Sequence, residues 1–347
     1  MRIMRSILFF VFVGLISAAL VAGCGKPTTH ETTLRVGYYP NLTHAQALVG
    51  LANGTFEQAL GPGTPIRPKV FNAGPSVIEA LFADELDLAY VGPNPAINGY
   101  VKSRGQALRV IAGAASGGAV LVVRDGVSIQ TAKDFAGKRV ATPQLGNTQD
   151  VAMRHYLLQR GLSTEERGGT VRLIPMQNPD ILTAFLKGEV DAAWVPEPWG
   201  ARLVREAGGK IFLDERQLWP EGKFSTAVVI VSAKTLDERP EVIRRWLQAH
   251  VEVTEWIDSH PDEAKRLVNA EIAKLTGKKL SDDILSDAWS RLHVTYDPLA
   301  QSLVTAGDHA FELGFLGATK PELALMFDLH LLNDVLRAKR RAPVETP

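Results

Sequence analysis

From Leu34 onward, short apolar runs alternate with segments of helical spacing. "LRVGYY" is followed by "HAQALVGLANGTFEQAL", then by "IRPKVFNAG", "SVIEALFADE" and "LDLAYVG". The pattern restarts at Lys138 with "KRVATP", "DVAMRHYLLQRGL", "VRLIPM", "DILTAFLKGE" and "VDAAWV". Strand-length runs alternating with helices predict two successive α/β units with crossover helices. "FSTAVVIVSA" predicts one more strand, and the remainder predicts helices. In "PEVIRRWLQAHVEVTEWIDSHP", Pro opens the helix and Val242, Trp246, Ala249, Val253 and Ile257 follow at roughly helical spacing. "DEAKRLVNAEIAKL", "SDDILSDAWSRL", "LAQSLVTAGDHAFELGFL" and "ELALMFDLHLLNDVLRA" are similarly amphipathic, and "KRRAPVETP" predicts a frayed polar tail.

The two units share more than alternation. Glu85, Asp87, Ala89 and Val91 in "DELDLAYVGPNPA" match Glu189, Asp191, Ala193 and Val195 in "GEVDAAWVPEPWG", 104 residues later. The same offset aligns Arg35 and Val36 with Arg139 and Val140, and Tyr90 with Trp194. Two segments in one register predict a structural repeat. Glu85 and Glu189, in the charged turns entering buried strands, predict solvated positions.

Ligands of parallel sheets bind outside the carboxyl ends of the strands, near helix N-termini. The six strand ends here are polar or rich in Gly and Pro: 40–44, 75–76, 93–95, 144–149, 177–180 and 196–199. Pro, Ser, Asn and Thr are also what helix starts require, so each residue singly is equally a cap. Six such starts around one cleft would present free amides and positive dipole ends to an anion without any Lys or Arg.

Composition leaves this picture intact. The 347 residues are 46% hydrophobic and 22% charged, with 38 basic and 38 acidic side chains. That balance gives no reason to expect nucleic acid as a partner, and any anion selectivity must be local. The N-terminus is different: "MRIMR" precedes the apolar "SILFFVFVGLISAALVAGC", an export-signal pattern. Its run is shorter than the about 20 residues of a membrane span. Cys24, the only cysteine, closes "LVAGC", which resembles a bacterial lipobox. That resemblance implies a signal peptide over 1–23, a diacylated Cys24, a polar tether over 24–33, and a body anchored outside the cytoplasmic membrane.

"LRVGYYPNLTHAQALVGLANGTF", "VFNAGPSVIEALFADELDLAYVG", "GKRVATPQLGNTQDVAMRHYLLQRGL" and "DAAWVPEPW", in this order behind an export signal, resemble the substrate-binding proteins of ABC importers. The group resembled includes the aliphatic sulfonate, taurine, nitrate and thiamine-precursor binders. The resemblance implies the two-lobe type II periplasmic-binding-protein fold. Each lobe is then a mostly parallel sheet flanked by helices: lobe 1 from residues 34–124 and 224–340, lobe 2 from 125–223. Hinge strands "AVLVVR" and "STAVVIVS" would join them, with the ligand between.

Matched by position, the first-strand loop of that family falls on Tyr38, Tyr39, Asn41 and His44, and its Ala-Gly-Pro helix start on Gly74 and Ser76. The loop after the third strand supplies Gly92 and Asn94, and Ser116 lies just before the first hinge strand. In the second lobe, Gly146-Asn147-Thr148 stands where sulfonate binders often read Gly-Ser-Ser or Gly-Ser-Thr, Gln144 opens the same strand-end loop, and Glu197 and Trp199 belong to the acidic-Pro-aromatic element. Ser76, Asn147, Thr148 and nearby amides are expected to hold an anionic end, and Tyr39, His44 and Trp199 to wall the pocket. Glu197 would repel a bare anion and favour a zwitterion or neutral heterocycle, unless its carboxylate serves its own helix.

The expected function is capture of a small organic anion or zwitterion, an aliphatic sulfonate or taurine-like compound, by a monomer that delivers it to a permease and its ATPase. Nitrate or a pyrimidine-type thiamine precursor are the alternative ligands, and a pyrimidine-synthase-like enzyme or a sensor lobe pair the alternative classes. Neither His44 nor His155 sits in a cluster of ligand spacing, so no metal and no cofactor are expected. No G-x-x-x-x-G-K-[ST], H-E-x-x-H or Ser-His-Asp pattern points to catalysis.

Overall fold

A computed structural model describes residues 33–347. The expected signal peptide, lipidated Cys24 and most of the tether lie outside the described residues. The first unit runs β1 (Leu34–Tyr38), α1 (Ala45–Ala52), α2 (Thr55–Leu60), β2 (Ile66–Val70), α3 (Gly74–Phe82), β3 (Leu88–Val91), α4 (Pro93–Lys102) and β4 (Leu108–Gly117). The second runs β5 (Ala119–Val123), β6 (Arg139–Pro143), α5 (Thr148–Leu158), β7 (Arg172–Met176), α6 (Asn178–Leu186), β8 (Ala192–Pro196), α7 (Trp199–Ala207) and β9 (Lys210–Asp214). The chain returns through β10 (Ser225–Ser232), α8 (Ala233–Glu238), α9 (Pro240–Ser259), α10 (Pro261–Thr276), α11 (Asp282–Trp289), β11 (Leu292–Val294), α12 (Ala300–Glu312) and α13 (His330–Ala338).

The strands form two sheets, in the orders β11-β4-β10-β3-β1-β2 and β7-β6-β8-β5-β9. Each contains a parallel trio, β2-β1-β3 or β7-β6-β8, followed by an antiparallel strand, β10 or β5. The repeat is therefore structural: Val36 pairs with Leu88 as Val140 pairs with Ala192. Asp87 accepts from Arg35 N at 2.7 Å and Nη2 at 2.7 Å, and Asp191 accepts from Arg139 N at 2.9 Å and Nη2 at 2.8 Å. Each clamp ties the first strand of its unit to the third. Glu85 and Glu189 lie exposed in the turns between.

The central strands are apolar throughout because both faces are covered. Along β5, Val120 and Val122 pack on one face with Val195 and Phe185, while Leu121 and Val123 face Trp194 and Phe135. β2 is an edge strand, mostly exposed, and accommodates Pro68 there. In the first lobe Phe56 stacks on Trp246 at 3.8 Å.

Three details differ from the sequence-based expectation. β5 pairs with β8 and β9, so residues 119–123 belong with the second sheet rather than the first lobe, and β10 lies wholly in the first. The passages between sheets are instead Gly117–Gly118 and residues 215–224. Both glycines have positive φ, and a Cβ on Gly117 would meet Arg291 O at 2.6 Å, so this passage admits only glycine without rearrangement. β11, three residues long, is too short to leave a period in the sequence. The C-terminal tail is tied down, with Val344 N donating to Asn333 Oδ1 at 2.8 Å and Val344 O accepting from Asn333 Nδ2 at 3.0 Å.

Candidate functional site

The carboxyl ends of both parallel trios face one cleft, and α3, α4, α5, α6 and α7 all begin immediately after those ends. Between the lobes lies a small, largely filled cavity of about 20 Å³. Tyr39, Asn41, Thr43 and His44 line it from the β1–α1 loop, with Asn72, Gly92 and Thr226 completing the first lobe's wall. The second lobe contributes Asn147, Thr148, Gln149, Asn178 and Pro196. Among the described residues, no Lys, Arg, Asp or Glu side chain lines this cavity.

The lining is held by local chemistry. His44 Nδ1 accepts from Tyr39 N at 3.1 Å, and the two rings stack at 4.2 Å. Burial pushes the His44 pKa down to about 3, so the ring is neutral and its proton sits on Nε2 as a donor. Burial likewise raises the Tyr39 pKa, leaving a neutral hydroxyl. In the second lobe, Asp150 organises the loop that carries Asn147 and Thr148. It accepts from Thr142 Oγ1 at 2.8 Å, Gly146 N at 2.9 Å and Arg154 Nε at 3.0 Å. Burial raises the Asp150 pKa against the pull of Arg154. Tyr39 Oη, Thr148 Oγ1 and Asn178 Oδ1 are buried with no hydrogen-bond partner among the described residues. Such groups carry a desolvation cost unless something meets them, and all three belong to cavity-lining residues.

The lobes are closed on each other. Trp199 Nε1 donates to Asn41 Oδ1 at 3.0 Å, and Asn72 Nδ2 to Gln177 Oε1 at 3.0 Å. Leu42 N reaches Glu197 O at 3.3 Å. Further out, Arg205 pairs with Asp287 at 2.6 Å, Lys278 with Glu206 at 2.7 Å, and His155 stacks on His309 at 3.5 Å.

Of the residues singled out from sequence, Tyr39, Asn41, His44, Gly92, Asn147 and Thr148 line the cavity. Trp199 does not; it braces Asn41 from behind, with the Arg202 guanidinium 4.6 Å from its ring centre. Tyr38 packs in the first lobe's core, and Asn94 turns away to bond Ala306 O at 3.3 Å. Gly74 packs against Pro95, and Ser76 is half-buried in the first turn of α3 outside the lining. Ser116 lies in the ladder between Ser225 and His293, and Gln144 takes a turn with φ of 29°.

Glu197 departs furthest from its expected place. It is fully buried outside the lining, with Oε2 accepting from Ala201 N at 2.9 Å and Oε1 from Arg291 Nη1 at 2.7 Å. Of the two places expected for this carboxylate, it takes the one on its own helix, joined by an arginine from the other lobe, rather than the one facing the ligand. Lining residues outside the sequence-based set are Thr43, Asn72, Gln149, Asn178, Pro196 and Thr226. All but Thr226 lie in or beside the strand-end loops the pattern marks. Thr226 arrives on antiparallel β10 and has no local signal. No group of three His, Cys, Asp or Glu among the described residues is placed to hold a metal ion, and no described helix is long and apolar enough to cross a membrane.

Comparison with known proteins agrees with this architecture. A model of the NMT1-like family matches residues 28–274. The taurine-binding periplasmic protein of Escherichia coli is 26% identical over 62% of this chain and 64% of that protein. A putative aliphatic sulfonates-binding protein of Bacillus subtilis is 27% identical over 84% of this chain and 86% of its own length. Among solved structures, the alkanesulfonate-binding protein SsuA from Xanthomonas axonopodis pv. citri, bound to MOPS, superposes with a TM-score of 0.72 at 18% identity. It covers 86% of this chain and 98% of that one. The periplasmic nitrate-binding protein NrtA from Synechocystis also gives 0.72, at 15% identity and 89% coverage of both chains. The chain belongs to the NMT1-like family and has the two-lobe α/β fold of the periplasmic binding proteins.

Proposed function

We propose that this protein is the extracytoplasmic solute-binding component of an ABC importer. It captures a small organic anion, an aliphatic sulfonate or a taurine-like compound, and presents the closed form to a membrane permease. The observation that carries the reading is the small neutral cavity between two closed lobes. Three of its lining residues, Tyr39, Thr148 and Asn178, hold buried polar atoms without partners. The Tyr39 and Thr148 hydroxyls and His44 Nε2–H, together with the helix starts around them, suit an oxyanion without a formal cation, while Asn178 Oδ1, an acceptor, suits an N–H or O–H of the same ligand. Ligand binding selects the closed form, and the difference between open and closed is what a permease can read. Cys24 serves as a lipid anchor in this reading, holding a monomer outside the cytoplasmic membrane.

Thermal shift of the purified protein tests this. Ethanesulfonate or taurine at about 100 times its dissociation constant should stabilise the native state by about 2.7 kcal/mol. Absence of any shift with alkanesulfonates up to millimolar concentration would overturn the sulfonate reading. The uncharged lining favours one second reading, a neutral heterocycle of the pyrimidine type. A hydroxymethylpyrimidine arm in the same screen separates the two, and a nitrate arm tests the smallest anion.

A further inference from the structure

Glu197 and Arg291 form an ion pair between the lobes, immediately behind the cavity wall. Glu197 follows the lining residue Pro196; its N–H donates to Gly118 O at 2.8 Å and its C=O accepts from Leu42 N at 3.3 Å, between lining residues Asn41 and Thr43. Its side chain is wholly buried. Arg291 comes from the first lobe, between α11 and β11, and its own carbonyl accepts from Gly118 N at 2.8 Å. Its guanidinium donates to Glu197 Oε1 at 2.7 Å. The other charge acting on Glu197 is Asp214 at the end of β9, which is itself paired with Arg216 at 2.6 Å. The pair thus cancels a carboxylate that would otherwise stand unbalanced in a dry region beside an uncharged cleft.

We propose that Arg291, which is not among the cavity-lining residues, is a positioning residue that sets the charge selectivity of the cleft. By neutralising Glu197 it keeps the site receptive to anions, and its removal turns the site toward ligands bearing an ammonium group. The inference rests on the anion-binding function proposed above. Around a buried carboxylate the effective dielectric is low, and a single charge acts strongly over several ångströms. Removing only one partner of a buried pair leaves that charge uncompensated. Burial already raises the Glu197 pKa, opposed by the Ala201 amide and Arg291. Without Arg291 one of those opposing influences is lost and the carboxyl pKa rises further. It would be uncharged at low pH, where anions bind, and ionised at high pH, where they are repelled.

The experiment compares ethanesulfonate and taurine, the same sulfonate without and with an amine, by calorimetric titration at pH 5 and pH 8. In Arg291→Gln, ethanesulfonate affinity relative to wild type should fall roughly 10- to 100-fold at pH 8 and largely recover at pH 5, while taurine is weakened much less. The double variant Glu197→Gln/Arg291→Gln should return the ethanesulfonate-to-taurine ratio to within about threefold of wild type at both pH values, and Arg291→Lys should retain it. If Arg291→Gln does not fold, Glu197→Gln serves instead. It leaves the guanidinium uncompensated and should shift the ratio about tenfold toward ethanesulfonate. A loss of both ligands to the same extent, independent of pH and not rescued by the double variant, would mark a merely structural pair and overturn the inference. So would an unchanged ratio in folded variants. Wild-type protein that binds neither sulfonate overturns the proposed function and this inference with it; binding by wild type with an unmoved ratio overturns this inference alone.

Discussion

In the first lobe the strand Leu88–Val91 is clamped to its neighbour by Asp87 and Arg35; in the second, Ala192–Pro196 is clamped by Asp191 and Arg139 with the same atoms in contact. The clamps differ in depth: the Asp87 side chain is 6% exposed and Asp191 13%, and their arginines 17% and 38%. Beyond the clamps the two copies part. The first ends in Gly92, where a Cβ would lie 2.4 Å from Thr148 Oγ1 of the opposite lobe. The second ends in Pro196 and Glu197, one lining the cavity and the other buried behind it. The shared part of the repeat builds the frame, and the unshared part builds the candidate site, because only the ends of the strands reach the cleft.

The deepest difference is tested by breaking each clamp. Asp87→Ala should cost about 3 kcal/mol, since it removes the buried acceptor of Arg35 N, Nε and Nη2 and of Thr235 Oγ1 at 3.2 Å, leaving the guanidinium to the exposed Asp84. Asp191→Ala, beside a more exposed arginine, should cost about half as much. Urea unfolding measures both, and equal losses would erase the proposed asymmetry.

Acid should next distinguish the lobes, because the first holds His44 and His250 fully buried, with pKa values lowered by desolvation to about 3 and about 4. His250 accepts from Tyr90 Oη at 2.9 Å and donates to Gly113 O at 2.8 Å, a neutral arrangement. The unfolded chain binds a proton at each near pH 6.5, so stability is full above that pH and falls as pH drops toward 4. The loss is about 2 kcal/mol per histidine by pH 5. Hydrogen exchange at pH 7 and pH 5 should show the first lobe opening more readily, and His250→Gln should flatten its pH dependence.

The contacts at the strand ends are then tested through ligand binding. Gly92→Ala forces a methyl group toward Thr148 and opposes closure, weakening ligand binding about 10- to 100-fold while the stability of the unliganded protein changes little. Trp199→Phe removes the donor to Asn41 Oδ1 and should weaken binding only about fivefold, the value of one hydrogen bond. A Trp199→Phe loss larger than that of Gly92→Ala would move the centre of the site from the first copy to the second.

Much of the frame was legible beforehand because it is local or repeated. Apolar alternation marked the strands, Pro and Asn marked the helix starts, and the 104-residue echo aligned the residues that the structure joins as clamps. Six of fourteen expected ligand-facing residues line the cavity; those displaced show why the rest was not legible. Asn94 and Thr148 occupy similar helix starts, yet one bonds α12 and the other faces the cleft. Nothing in their own neighbourhoods distinguishes them. Thr226 lines the cavity from a strand that reads only as apolar.

The sequence by itself determined the parallel trios, the equivalence of the two units and the edge that lines the cleft, since backbone periodicity and helix capping act over a few residues. Only the tertiary structure decided what the polar residues at that edge do. Glu197 faces Arg291 across 94 residues and Trp199 faces Asn41 across 158. A side chain's role is fixed by the charge and hydrogen-bonding groups brought against it, and in a closed cleft those come from the other lobe.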